Sequence, residues 1–181
     1  MNFERLQKNI CDNILEAQIK LGYEGRPVSL NYTTASINHL MGTALSESGM
    51  ESALAEFAEY TADKLGNIAF HSIKTGYCIT VPEKGTEYIH NSLSDNCFIK
   101  EFIEAVRNHC TLEELFDVFH KHSKNVCIEE LHNDEFDYLV YFEDGNPDDY
   151  RYCISAEEEI DGSIHITYHR FIVEDYIDFD F

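Results

Sequence analysis

Apolar residues in the first part of the chain recur with the spacing of amphipathic α-helices. The first stripe, with an apolar residue every three or four positions, consists of Phe3, Leu6, Ile10, Ile14, Ala17 and Leu21. A second helix is predicted from about Thr34 to Met41. A third is predicted to begin at Ser48, because Ser48 and Glu51 fit a capping box. Since this periodicity places each stripe on one helix face, we predict that residues 1–66 are helical.

Between residues 67 and 81 the pattern changes to that of β-strands. The apolar residues of this segment are β-branched or aromatic, and Lys74-Thr75-Gly76 gives a turn signal between them. Such residues favour pleated strands, which predicts a short β-hairpin over 67–81. The polar stretch from Pro82 to Ser94 is interpreted as a loop.

Two short helices are predicted between residues 95 and 124. Asp95 can cap the first, and Thr111 with Glu114 forms a capping box at the start of the second. Their apolar stripes consist of Phe98, Phe102, Ile103 and Val106, and of Leu112, Leu115, Phe116 and Phe119. Because few residues separate the two helices, we expect them to form an antiparallel pair.

The segment 126–181 is predicted as an antiparallel β-meander followed by a tail. Strands are expected near 136–143, 150–158 and 163–171, and Val126 to Leu131 can add another. Period-two alternation assigns one apolar face to this sheet. That face consists of Tyr138, Val140, Phe142, Tyr152, Ile154, Ala156, Ile164, Ile166 and Tyr168. The tail, in which aromatic and acidic residues alternate, is expected to pack on its own domain or on a symmetry partner.

The turn around Gly162 decides the register of the last two strands. A shift of one residue would exchange the two faces of a strand, so burial of the apolar face selects one register. A three-residue loop with Gly162 in a left-handed conformation satisfies this requirement. The resulting register places Glu157 opposite His165 and Cys153 opposite His169.

Together these elements predict a single α+β domain spanning 1–181. It has a helical amino-terminal half, a hairpin, a helix pair and a carboxyl-terminal antiparallel meander. The 44 % of hydrophobic residues suffices for a core, and no apolar run approaches the ~18 residues of a membrane span. The start of the chain carries no secretory signal pattern. Six scattered cysteines without a C-x-x-C pair favour a reduced, cytoplasmic protein.

The negative charge of the chain is unevenly distributed. Residues 1–128 hold 17 acidic and 11 basic residues, whereas residues 129–181 hold 17 acidic residues and only Arg151 and Arg170. The last 53 residues therefore carry −15 of the net charge of −21. Such a surface repels phosphate backbones, which argues against direct nucleic-acid binding, and it suits a basic protein partner, a bound cation or simple solubility.

Candidate catalytic residues lie on the sheet face opposite the apolar one. The register gives this face Tyr141, Arg151, Cys153, Ser155, Glu157, His165, Thr167 and His169. Arg151 can bind an anion, and His165 and His169 can transfer protons or bind a metal. The alternative, which we favour, is a solvated face with favourable cross-strand pairs.

The turn from Glu143 to Asp149 contains the candidate metal ligands Asp144, Asp148 and Asp149. Hard cations such as Ca²⁺ take carboxylate oxygens, but the pattern does not match an EF-hand loop. We expect no cofactor, because the chain has no Gly-rich phosphate loop, no G-x-S-x-G and no H-E-x-x-H motif. These absences disfavour the common enzyme classes.

The segment Asp137-Tyr-Leu-Val-Tyr-Phe-Glu-Asp-Gly, with its acidic turn after a helical amino-terminal half, resembles small bacterial proteins of uncharacterised families. The resemblance covers most of the chain and implies no activity and no site residue. Three hypotheses follow from the residues. The first is a non-enzymatic, acidic interaction or regulatory module in the bacterial cytoplasm. The others are an atypical enzyme using Arg151, His165 and His169, and an acidic mimic of nucleic acid.

Overall fold

The structure is a computed structural model that describes residues 1–92, 97–131, 133, 135–160 and 162–172. Its internal contacts divide the chain into two compact units, Met1–Ser94 and Asp95–Phe181. Helices and antiparallel sheets occur in both, so the predicted α+β class is confirmed. The expectation of a single domain stays a prediction. The expected cap Asp95 and the tail from residue 173 onward lie outside the described residues.

The first unit combines four helices with a three-stranded antiparallel sheet within its described residues. In chain order its elements are α1 Phe3–Leu21, β1 Val28–Thr33, α2 Thr34–Met41, α3 Glu47–Leu65, β2 Ala69–Ile73, β3 Gly76–Val81 and α4 Glu83–Asn91. The strand order is β1-β3-β2. Most residues of the predicted helix stripes lie in the core, since Leu6, Ile10 and Ile14 of α1 are fully buried with Phe57 of α3, whereas Leu21 at the end of the first stripe is 81 % exposed. The predicted hairpin is confirmed as β2 and β3.

Two segments of the first unit differ from the prediction. Residues 28–33 lie within the part predicted as helical but form strand β1, because their period-two alternation is stabilised by pairing with β3, far away in the chain. The stretch interpreted as a loop contains helix α4. Pro82 occupies its N-cap, and buried Thr86 and Ile89 lie three residues apart on one face.

The two predicted capping boxes have different outcomes. Helix α3 begins at Glu47 with Ser46 as its N-cap, so the box predicted at Ser48 is wrong. The second box is confirmed, because the Thr111 side chain accepts a hydrogen bond from the Glu114 amide while the Glu114 carboxylate accepts one from the Thr111 amide. Both residues satisfy backbone N–H groups that a helix start leaves without internal partners.

In the described residues of the second unit, two helices pack on a four-stranded sheet. Its elements are α5 Phe98–Arg107, α6 Leu112–His122, β4 Val126–Glu130, β5 Tyr138–Phe142, β6 Tyr150–Glu158 and β7 Ile164–Ile172. The strands follow the order β4-β5-β6-β7 and are all antiparallel, which confirms the meander. Glu101 in the first turn of α5 bonds Lys121 and His122 in the last turn of α6, so the helices run antiparallel as expected.

Aromatic rings form the core of the second unit. Fully buried Tyr152 lies among Phe98, Phe102 and Phe119, with ring centroids 5.7, 4.9 and 5.4 Å from its own. Their mostly edge-on and tilted geometries are those that the ring quadrupoles favour. The apolar sheet face therefore packs on the helix pair, as its period-two pattern predicts.

The predicted register of β6 and β7 is confirmed. Glu157 pairs with His165, and Cys153 pairs with His169. Gly162 has a φ of 82°, and its amide donates to the Glu159 carbonyl at 2.9 Å within a loop closed by Ser163. Burial of the apolar face thus selects the three-residue loop.

Candidate functional site

The structure brings only two of the three candidate catalytic residues close together. Arg151 pairs with Phe171 and His169 pairs with Cys153, so Arg151 and His169 are diagonal neighbours, with Cα atoms ~7–8 Å apart. His165 and His169 are both exposed and stand about 13 Å apart along β7. The two histidines therefore cannot act on the same substrate atom from their places on the strand.

Arg151 is held against the aromatic ring of Tyr141. Its guanidinium carbon lies 4.2 Å from the centre of that ring, and its Nε is buried with no hydrogen-bond partner among the described residues. The Tyr141 hydroxyl donates to Glu129 Oε1 at 2.8 Å, and Cys127 Sγ donates to the same oxygen at 3.5 Å. Hydrogen bonding with Cys127 and Glu129 raises the pKa of the Tyr141 phenol. The phenol is thus a neutral donor at pH 7 and supports the arginine by a cation–π contact.

The centre of this face is apolar and covered. Leu139, Cys153 and Phe171 form a buried cluster, with Leu131 and Phe136 packed beside it. Leu139 and Phe171 are absent from the predicted face, although period-two alternation from Tyr141 and His169 identifies both. Burial, followed by the nearby charge of Glu135, raises the pKa of the Cys153 thiol to about 11. The favoured interpretation of a solvated face therefore fits His165, Thr167 and His169 but not Cys153.

In the acidic turn, two of the candidate metal ligands bind groups of the protein itself. Asp144 accepts from the Asn125 side chain at 3.0 Å and from the Asn146 amide at 3.2 Å, and these bonds lower its pKa. Asp148 accepts from the Tyr150 amide at 2.8 Å and from the Tyr152 hydroxyl at 2.7 Å. Within the described ranges, no group of three His, Cys, Asp or Glu residues has the geometry to hold a metal ion.

Arg170 occupies the opposite sheet face from Arg151. Its guanidinium stacks on the Tyr150 ring at 4.2 Å, and its Nη1 lies 4.0 Å from Asp148 Oδ2. Its side chain is only 5 % exposed. Burial, followed by the charge of Asp148, raises the pKa of Tyr152 well above its usual value. Asp148 therefore fixes a buried network and is not a free carboxylate of the turn.

The β6–β7 hairpin ends in an acidic tip, defined as residues 157–160. Glu157, Glu158 and Glu159 are consecutive and exposed, and the Ile160 side chain extends fully into solvent. These four residues line an open concave space of about 650 Å³. Sequence patterning identifies the acids but not the exposure of Ile160, which depends on the loop conformation. The tip combines a strong negative potential with one apolar side chain.

Fold and surface together define a class of α+β proteins with an acidic β-meander. The family model that matches the chain over residues 3–179 is described as "Domain of unknown function, E. rectale Gene description (DUF3877)". The chain therefore belongs to the DUF3877 family, which agrees with the resemblance to uncharacterised families. No curated protein and no solved structure matches the chain significantly. None of the helices in the described residues combines the length and apolarity that a membrane crossing requires.

Proposed function

We propose that this protein is an acidic interaction module of the bacterial cytoplasm that binds a basic segment of a protein partner at the acidic tip. The observation that supports the proposal most directly is the position of the two arginines of residues 129–181. Each stacks on a tyrosine ring at 4.2 Å, so both cations are held on the sheet and away from the tip carboxylates.

The charge of the tip is suited to steering a basic partner. Three adjacent carboxylates at the end of a hairpin project into solvent and give a concentrated negative potential. Charges of this kind at the rim of an interface mainly increase the association rate and make binding dependent on salt. We therefore expect affinity to fall as ionic strength rises.

Ile160 adds an apolar contact to this electrostatic one. Burying a side chain of this size contributes roughly 1.5–3 kcal/mol when a partner surface covers it. Lysine and arginine side chains have aliphatic stems that can pack on such a residue while their charged ends reach carboxylates. The tip thus favours a basic segment that also contains aliphatic residues.

Fluorescence anisotropy with two labelled peptides tests this proposal. One peptide alternates Lys with Leu, and the other alternates Lys with Ser. The triple variant E157Q/E158Q/E159Q is compared with E56Q/E59Q/D63N, which removes three exposed charges from α3. We expect the tip variant to weaken binding of the Lys-Leu peptide by about tenfold or more, and the α3 variant by less than about twofold. I160S should weaken binding of the Lys-Leu peptide more than that of the Lys-Ser peptide, which contacts Ile160 only through its lysine stems.

Comparing the two triple variants distinguishes a binding site at the tip from a general effect of the negative charge on the surface. Equal losses of affinity in both would contradict a binding site at the tip. That outcome would favour a surface whose acids act collectively, as in a solubilising coat or a nucleic-acid mimic. An unchanged affinity for the Lys-Leu peptide in I160S would remove the apolar contact from the proposal.

A further inference from the structure

The three-stranded sheet of the first unit has one face in the core and one face toward solvent. Tyr77, Ile79 and Val81 of β3 are buried on the core side, so the residues that alternate with them lie on the other side. This other side, called here the open face, consists of Ser29, Asn31 and Thr33 of β1, Ala69, His71 and Ile73 of β2, and Gly76, Cys78 and Thr80 of β3. On the two edge strands, every residue of the open face is exposed except the half-buried Ile73. A partner can therefore reach this face.

The open face carries no charged carboxylate, which sets it apart from the rest of an acidic chain. None of the residues in β1, β2 and β3 is Asp, Glu, Lys or Arg, although the net charge of the chain is −21. Two copies of such a chain repel each other wherever their acidic surfaces approach. The repulsion is smallest at the open face, whose side chains are mostly small. A second copy can therefore approach there to the spacing of about 10 Å that is usual for stacked sheets.

A cysteine and a histidine lie side by side in the middle of the open face. Cys78 on the central strand pairs with His71 of β2 on one side and with Asn31 of β1 on the other. Directly opposite residues have Cβ atoms about 4.5–5.5 Å apart, which allows a thiolate and an imidazole to bind the same ion. Cys78 is 8 % exposed, and both of its neighbours are exposed. The thiol thus lies at the surface between two side chains that are free to turn.

One copy of the chain supplies only half of a metal site. Structural Zn²⁺ sites are tetrahedral, and two Cys with two His are one of their usual ligand sets. In the part of the chain that the structure describes, no third His, Cys, Asp or Glu joins Cys78 and His71. A two-fold interface uses the same surface of both copies, so it would bring a second identical pair to the first. Bonds of about 2.3 Å to sulfur and about 2.1 Å to nitrogen suit two sheets about 10 Å apart.

We propose that two copies of this chain join their open faces around one Zn²⁺ ion, bound by Cys78 Sγ and an imidazole nitrogen of His71 from each copy. Each thiol releases its proton to solvent when its sulfur binds the ion. The Asn31 side chain is placed to donate an N–H group to the thiolate, as residues behind metal ligands commonly do. This site lies in the first unit and is independent of the acidic tip.

The size of the open face implies that the metal, and not surface burial, holds the two copies together. Three strands about 4.8 Å apart and five residues long cover only about 240 Å². A stable interface between proteins usually buries about 800 Å² on each partner. We therefore expect the dimer to form with zinc and to dissociate when zinc is removed.

The mass of the full chain in solution tests this proposal. The reduced chain is treated with EDTA, transferred to metal-free buffer and measured by multi-angle light scattering during a titration with ZnCl₂. We expect a monomer before the titration and a doubled mass at about half an equivalent of zinc per chain, whereas MgCl₂ should leave the mass unchanged. A dimer that persists in EDTA would overturn the proposal, and so would zinc binding without a change in mass.

Matched variants assign the ligands. H71Q removes the exposed imidazole of the open face, and H120Q makes the same change at an exposed position of α6. C78S is matched by C127S, a change of the half-buried Cys127 in β4. Loss of a residue behind the ligands already lowers metal affinity about 10–100-fold, so H71Q and C78S should lower zinc affinity at least about a hundredfold and abolish the dimer. H120Q and C127S should keep both.

Cobalt provides a second readout that reports the thiolate directly. With Co²⁺ in place of Zn²⁺, we expect a sulfur-to-metal charge-transfer absorption in the wild-type chain and in C127S but not in C78S. Zinc-dependent doubling of mass in H71Q would overturn the proposal whether or not C78S folds. Equal loss of doubling in H71Q and H120Q would also overturn it, because zinc would then bind without a defined ligand set.

Discussion

The two units of the chain build their cores from different kinds of side chains. The first carries 11 acidic and 7 basic residues and contains buried polar side chains, among them Asn9, Gln18 and Thr86. The second carries 23 acidic and 6 basic residues and fills its core with aromatic rings. Hydrogen bonds to single buried groups specify how elements meet in the first unit. Ring geometry does so in the second, where two stacked arginines and Asp148 are the charged groups that adjoin the core.

The largest expected effect on stability comes from removing an aromatic ring from the core of the second unit. Phe102 is fully buried and contacts Tyr152 and Tyr168 with centroids at 4.9 and 4.7 Å. We expect F102A to lower the free energy of unfolding by about 3–5 kcal/mol, because truncation removes apolar contacts and leaves a cavity. Urea titrations followed by amide resonances from each unit give this value separately for the two units. A loss below about 1 kcal/mol would contradict the importance assigned to the ring cluster.

F57A is the matched change in the first unit, because Phe57 is also fully buried. If each variant destabilises only its own unit, the units unfold independently and the expectation of a single domain is wrong. If both variants lower the stability of all resonances together, the chain behaves as one cooperative domain.

A smaller effect is expected from the buried polar contacts of the first unit. T86V keeps the shape of Thr86 but removes the hydroxyl that bonds the Arg26 and Glu83 carbonyls, so we expect a loss of about 1–3 kcal/mol. The control is T61V, whose buried hydroxyl bonds only carbonyls of its own helix, Phe57 O at 3.0 Å and Ala58 O at 3.4 Å. Equal melting temperatures for the two variants would show that the link between α4 and the segment after α1 adds nothing.

The smallest effect concerns pH. Hydrogen bonds from Lys121 and then His122 lower the pKa of Glu101. A carboxylate with a lowered pKa stabilises the fold above its unfolded-state pKa, and this contribution is lost as pH falls through the folded-state pKa. Glu101 and its two partners lie near the surface. We therefore expect their hydrogen bonds to contribute less than about 1 kcal/mol to the free energy of unfolding. E101Q should flatten the acid side of the thermal-stability profile of the second unit, whereas E104Q, an exposed change on the same helix, should not.

The sequence is most informative where the deciding interactions are local. The confirmed pairing of Glu157 with His165 follows from alternation within one hairpin, and the Thr111 capping box follows from four adjacent residues. Strand β1 was missed because its stabilising partner, β3, lies more than forty residues away in the chain. Helix α4 was missed because only a few residues of its polar sequence are buried.

The features of the candidate sites also differ in whether local sequence predicts them. The acids of the tip are visible in the sequence, since Glu157 to Glu159 are consecutive. The apolar centre around Leu139 and Phe171 follows from alternation that extends to both ends of the strands. The contact of Gln18 with Thr86 has no local signal, because the two residues lie 68 positions apart in the chain.

The pairing of β6 with β7 also determines where the length of this gene product can change. One residue inserted in the exposed loop lengthens that loop and leaves the faces of β7 unchanged, because a pairing shifted by one residue would bring Ile166 into solvent and His165 into the core. One residue inserted within β7 itself has no such outlet and is tolerated only if a bulge absorbs it. Changes of length should therefore survive in the turn more often than in the strands beside it.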